Sequence, residues 1–273
     1  MTLKSIFLGL LAGIMVSTLA WLGGCASSST TAASTTDGKD IVTASDESSG
    51  AKRARIRLEL AGGYFEKGQM TTALDQVKLA IIADPTVSDA YNLRGLIYAN
   101  LGDDRLAEES FRRALQLNPR DADTMQNYGY FLCQKKRYGE ANALFDQALS
   151  NPQYRDTVRT YLTKGACLAQ AGQLADAEAS LLRAYEIDPA NPSVVFNLSD
   201  ILYQRGEYER ARFYIKRLNA QPAVSNAQTL WLAARIEYRT ANRVGVQEFG
   251  DQLRRRYPES REFAAFQRGG FDE

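Results

Sequence analysis

The chain of 273 residues contains no histidine. Histidine is the usual general base near neutral pH and the commonest side-chain nitrogen ligand for metals. Its absence excludes a Ser-His-Asp triad, a Cys-His dyad and a His-ligated zinc. Cysteine is scarce, with three residues and no Cys-x-x-Cys spacing, so a four-cysteine zinc site is excluded as well. A surplus of either charge is also lacking, since 33 Lys+Arg stand against 32 Asp+Glu. Such a balance offers no global field to attract nucleic acid. Neither a Walker A loop nor a Gly-x-Gly-x-x-Gly turn is present. Chemistry would fall to carboxylates, Lys and Tyr alone. The expectation is therefore a binding protein: not an enzyme, with no cofactor, no metal, no nucleic acid and no small-molecule substrate.

Long apolar runs are missing except at the start. Residues 1–25 read MTLKSIFLGLLAGIMVSTLAWLGGC, with Lys4, an apolar stretch from Ile6 to Leu22, then small residues and Cys25. A basic start, an apolar middle and a small-residue end form a secretory signal. Leu22-Gly23-Gly24-Cys25 resembles the bacterial lipobox, in which the leader is cut before the cysteine and that cysteine is acylated. An uncleaved membrane anchor and an ordinary cleaved signal are the alternatives. Two or more acyl chains give stable anchoring where one does not, so Cys25 is expected to tether the mature chain. Ala26 rather than Asp after it points to the outer membrane, inner leaflet, periplasm-facing. Residues 26–50 are rich in Ser, Thr and Ala and lack the apolar surface to offset ordering entropy, which predicts a flexible tether. The expected division is a leader over 1–24, the lipidated Cys25 and tether over 25–51, and a folded domain over 52–273.

The remainder repeats. Ala73, Ala107, Ala141, Ala177 and Ala211 recur at spacings of 34, 34, 36 and 34 residues. Gly68 and Gly102, Gly172 and Gly206, and Pro85 and Pro119 each lie 34 apart. A small residue, an aromatic and a proline in register at this period are the tetratricopeptide signature. The stretch Ser88–Asp121 shows it best, with Tyr91, Gly95, Tyr98, Ala107, Phe111, Ala114 and Pro119 in place. The expected fold is all-α: a right-handed superhelical solenoid of about six helix-turn-helix repeats, starting near Ala54, Ser88, Ala122, Val158, Pro192 and Ala227. Two extra residues fall around Asn151–Thr157. The sixth repeat reads as degenerate, with Val246 and Gly250 where Ala and an aromatic belong, and Phe263 and Phe266 mark a C-terminal helical piece.

The first helix of each pair lines the concave face of such a stack. In this register the lining positions are Leu58 and Phe65, Asn92 and Leu96, Gln126 and Tyr130, Leu162 and Ala166, Phe196 and Tyr203, and Trp231 and Tyr238. Tyr and Trp supply contact area at low entropy cost and dominate binding hot spots, so a protein segment with apolar anchors is the expected ligand. A register error of one residue would instead move some of these side chains into the core. Arg55 and Asn92 alone hint at a carboxylate clamp, and none is predicted. Glu108-Glu109 reads as a solvated pair and Arg254-Arg255-Arg256 as a solvated basic run. Cys133 and Cys167 lie on first helices of neighbouring repeats that pack side by side. In an oxidising compartment facing side chains predict a disulfide, and misaligned ones two buried thiols.

Several blocks together are similar to the PilF/PilW family of type IV pilus biogenesis lipoproteins. They are Asn127–Cys133, Arg137-Tyr138 before Glu140-Ala141, Asn151-Pro152 with Tyr154, Gly165 with Cys167, Asn191-Pro192-Ser193, Leu230-Trp231-Leu232 with Arg235-Ile236, and Tyr257-Pro258 with Ser260. The resemblance implies a periplasmic protein on the outer membrane that binds secretin subunits and promotes their localisation, assembly or stability. Pilotin and pilus-stability factor remain open within that family. A general tetratricopeptide scaffold lipoprotein for outer-membrane or cell-wall machinery is the rival reading.

Overall fold

The computed structural model describes residues 48–271. The leader, Cys25 and nearly all of the expected tether lie outside the described residues. Within them the chain forms thirteen α-helices and no strand. In order they are α1 (Ser49–Glu66), α2 (Met70–Ala83), α3 (Ser88–Leu101), α4 (Asp104–Leu117), α5 (Ala122–Gln134), α6 (Tyr138–Leu149), α7 (Thr157–Gln170), α8 (Leu174–Ile187), α9 (Pro192–Gln204), α10 (Tyr208–Asn219), α11 (Ala227–Arg239), α12 (Arg243–Arg256) and α13 (Arg261–Arg268). No helix among the described residues is long and apolar enough to cross a membrane. First helices begin at Ser88, Ala122, Pro192 and Ala227, where the period puts them. The first repeat departs from expectation: α1 starts at Ser49, inside the predicted tether, because the Ser48 hydroxyl accepts the Ala51 N–H and caps it.

Local signals set these boundaries. Asp121 and Asn191 cap α5 and α9 through their side chains, and Pro192 occupies the first turn, where its missing N–H costs nothing. Asn226 and Thr229 form a reciprocal capping box on α11. Within each pair the chain reverses through one residue at positive φ: Gly68, Gly102, Gly172 and Gly206 in four repeats. In the other two the place is taken by Lys136 (φ 61°) and Ala241 (φ 56°), which hold a left-handed conformation that a Cβ disfavours.

The pairs pack by close approach. A Cβ on Gly95 would stand 2.7 Å from the Phe111 ring, one on Gly129 2.7 Å from Phe145, and one on Gly165 2.7 Å from Leu181. Glycine on the first helix therefore admits a large side chain from the second. Phe111, Phe145, Leu181, Ile215 and Phe249 continue that row, all buried. Phe249 corrects the reading of the sixth repeat. Gly245 lies 34 residues after Ala211 and Phe249 lies 34 after Ile215, so these two, not Val246 and Gly250, hold the small and large positions. Gly250 has a different task, because a Cβ there would fall 2.0 Å from the Phe266 ring of α13. Its bare backbone seats the final helix.

Among the described residues the backbone of each first helix approaches that of the next first helix (α1 with α3, α3 with α5, α5 with α7, α7 with α9, α9 with α11), whereas the backbones of successive second helices stand farther apart and α8 reaches α10 only through side chains such as Tyr185 and Tyr214. A stack that is close on one side and splayed on the other curves towards the close side. The first helices therefore line the inner face.

Candidate protein-binding groove

The inner face is built from side chains on α1, α3, α5, α7, α9 and α11. Leu58, Phe65, Asn92, Leu96, Leu162, Ala166, Phe196 and Trp231 are half-buried. Tyr130 and Tyr238 are open, at 48% and 46% exposure. Two expected lining residues are not accessible: Gln126 retains 3% exposure and Tyr203 8%. Their first helices pack against neighbours on both sides, and this close side of the stack leaves those two positions no solvent. The structure thus brings Trp231 and Tyr238 together at one end of the groove, with Tyr203 beneath. Tyr130 stands apart on α5.

Polar contacts cross the same face. The Asn127 side-chain amide donates to Asn92 Oδ1 at 3.2 Å, and Asn127 Oδ1 accepts from Arg159 at 3.2 Å, linking α3, α5 and α7. Asn127 and Arg159 were not selected from the sequence; their cue is a place beside Asn92 on successive first helices. Arg55 pairs with Glu59 at 3.2 Å. Near the far end, burial raises the Asp200 carboxyl above its usual range, against the Gln204 hydrogen bond and the Arg235 charge, which both lower it.

Glu108 and Glu109 do not form a solvated pair. Glu108 accepts from Tyr128 at 2.9 Å and pairs with Arg137 at 2.9 Å and Arg112 at 2.6 Å. Burial opposes its charge, but Arg137, Tyr128 and Arg112 outweigh that and hold the carboxyl below its ordinary range. The reason is position: Glu108 sits where α4 meets α5, within reach of three donors. A cleft of about 640 Å³ between α3 and α4 carries Arg94, Arg105, Arg112 and Arg113 around these acids. Arg256 is likewise engaged rather than merely solvated, donating to the carbonyls of Pro222 and Ser225 at 3.2 and 3.1 Å. Glu237 stands at 1% exposure, with Arg212 at 2.7 Å, Lys216 at 3.1 Å and Asn242 at 2.6 Å. Gly245 leaves room for it, since a Cβ there would fall 2.7 Å from the carboxyl carbon. No group of three or more Cys, Asp or Glu among the described residues could hold a metal ion.

Cys133 on α5 and Cys167 on α7 form a disulfide with Cα atoms 5.9 Å apart. Both sulfurs lie in the core beside Phe131 and Leu132. The two-residue insertion puts equivalent positions of these repeats 36 apart, as for Gly129 and Gly165, so cysteines 34 apart occupy different places on their helices.

One apolar feature was missed. Ile56 and Leu60 on α1 are exposed and border a hollow of about 380 Å³ with Gly63 and Tyr64. The equivalent positions in later repeats, such as Ala90, Thr124 and Val194 for Ile56, are buried against the preceding pair. Among the described residues no helix pair precedes the first repeat.

Tetratricopeptide repeat families match residues 88–121, 132–192 and 168–236. The type IV pilus assembly protein PilF of Pseudomonas aeruginosa is 32% identical over 217 residues, spanning 80% of this chain and 85% of that one. The chain belongs to the PilF/PilW family. It is a tetratricopeptide protein of type IV pilus biogenesis. The structure of Pseudomonas aeruginosa PilF matches with a TM-score of 0.71 at 29% identity, over 81% of this chain and all of that one. PilW, described as a widely conserved type IV pilus biogenesis factor, matches with a TM-score of 0.71 at 32% identity, over 78% of this chain and 97% of that one. The PilF/PilW relationship thus extends over most of the stacked helices described above.

Proposed function

We propose that this chain is an outer-membrane lipoprotein, anchored through Cys25, that binds the subunits of the pilus secretin along its inner face and promotes their localisation, multimerisation or stability. The observation that carries this reading is the match to PilF over 85% of that protein's length. The Leu22–Cys25 lipobox supports the anchor. The inner face supports the partner class: Tyr130 and Tyr238 are exposed on it and Trp231 is half-buried, aromatic anchors suited to a protein segment.

The test is a deletion strain complemented with wild type or with Cys25→Ser. Deletion is expected to abolish surface pili and heat-stable secretin multimers. The Ser variant is expected to leave the outer-membrane fraction and to restore fewer multimers. Normal pili and multimers with altered cell shape would replace this reading with the general scaffold. Outer-membrane fractionation unchanged by Cys25→Ser would remove the lipid anchor.

A further inference from the structure

The segment after α13 turns back into the groove. Gly269 takes a left-handed conformation (φ 69°), and Gly269 and Gly270 donate to the carbonyls of Phe266 and Ala265, each at 3.0 Å. That turn delivers Phe271 to the inner face of the last two repeats. Its ring stacks on Tyr238 with centroids 4.6 Å apart and an 11° tilt, lies 5.3 Å from Trp231, and meets Phe266 edge-on at 5.7 Å. Its carbonyl accepts from the Tyr203 hydroxyl at 3.4 Å and from Arg235 at 3.3 Å.

This is how a groove holds a peptide. An aromatic side chain fills a slot between aromatic walls, and fixed donors take the adjacent main-chain carbonyl. Neither interaction depends on the segment being part of the same chain. We propose that Trp231, Tyr238 and Phe266, with Tyr203 and Arg235 beside them, form a subsite for an aromatic residue in an extended polypeptide. Phe271 is its internal occupant, so a partner segment enters by displacing it.

The inference rests on the reading of the inner face as a protein-binding surface, but not on the partner's being a secretin. Its physical cost is simple. An occupant on a short tether competes at an effective concentration in the millimolar range. If the slot is closed nine-tenths of the time, the apparent affinity of any competitor falls about tenfold, in proportion to the open fraction. A partner contributing contacts elsewhere in the groove overcomes that deficit, and one offering only an aromatic residue does not.

The experiment uses the full chain and a fluorescein-labelled peptide of sequence Gly-Gly-Phe-Asp-Glu, identical to residues 269–273, with binding read by fluorescence anisotropy. Phe271→Ala empties the slot and is expected to bind the peptide at least tenfold more tightly than wild type. Adding Trp231→Ala to that variant is expected to abolish the gain. Thermal melts establish that each variant is folded. Equal binding by wild type and Phe271→Ala, or no binding by a folded Phe271→Ala protein, would overturn the proposal. Should Phe271→Ala not fold, Gly269→Ala serves instead. It leaves every side chain of the slot in place, has open space around the new methyl group and strains only the returning turn. It is expected to tighten peptide binding about fivefold, as raising the energy of a left-handed residue implies. No tightening in a folded Gly269→Ala protein would refute the internal occupant.

Discussion

Breaking the Cys133–Cys167 bond is expected to cost much of the stability of the central repeats. The bond closes a loop with a sequence separation of 34 residues. On the chain-entropy account, releasing such a loop in the unfolded state is worth about 3.5–4 kcal/mol at 25 °C, an upper figure because unfolded chains keep some compactness. With a urea dependence of roughly 2–3 kcal/mol per molar, that corresponds to a midpoint lower by about 1–2 M. Both sulfurs are buried beside Phe131 and Leu132, so a reductant added to folded protein acts slowly. The comparison should use protein reduced while unfolded and then refolded with reductant present. Reduced and oxidised forms share every side chain, which isolates the covalent link from packing. A Cys133→Ala/Cys167→Ala protein serves as control and is expected to show no response to reductant. Oxidised and reduced wild type unfolding within about 0.3 M of each other would refute the argument. So would mass spectrometry finding two free thiols in protein taken from an oxidising compartment.

Two further outcomes are expected. Ala241 holds a left-handed conformation that glycine holds in four other repeats, so Ala241→Gly should stabilise the chain by about 1 kcal/mol; a lower urea midpoint would contradict the strain argument. Burial opposes the charge on Glu237, but the bonds from Asn242, Arg212 and Lys216 hold its carboxyl below the ordinary 4.5. Its contribution is therefore present above about pH 4.5, the unfolded range, and is lost as the pH falls through the folded value. Glu237→Gln should cost roughly 2–4 kcal/mol at neutral pH, given the partly exposed cations, and should flatten the acid side of the stability profile. An unchanged acid slope would show that other carboxylates set it.

The repeat architecture was legible because its rule is steric and local. A bare Gly95 or Gly129 is required by the ring opposite, and the same close approach recurs 36 residues on at Gly165, against Leu181. The register of the sixth repeat was not, because Gly245 breaks the alanine series and a reading one residue late puts Val246 in its place and Gly250 in that of Phe249. The neighbours fix the register, with Glu237 beside Gly245 and Phe266 beside Gly250. Gln126 and Tyr203 were misplaced because first helices are crowded on both sides, so helical spacing names a direction without saying whether solvent remains there. Glu108 and Glu237 were opaque for a related reason. Tyr128 and Arg137 for one, and Arg212 and Lys216 for the other, lie 20–30 residues away, and no short motif records them. Phe271 was unreadable as a groove residue, since the Gly269 turn alone returns it to the stack.

The two ends of the helical stack are unequal, and this bears on polymer growth. A solenoid with matching bare ends can add copies head to tail without limit, each contact leaving a fresh end for the next. Here Ile56 and Leu60 leave the first repeat unfinished, whereas α13, seated through Phe266 on Gly250, closes the last. The exposed end of one copy therefore finds no complementary end on another. Self-association through that face must pair like with like, and a like-with-like contact closes at two copies. Among the described residues, the eight of α13 leave the stack with only one bare end, and that asymmetry comes from one short helix.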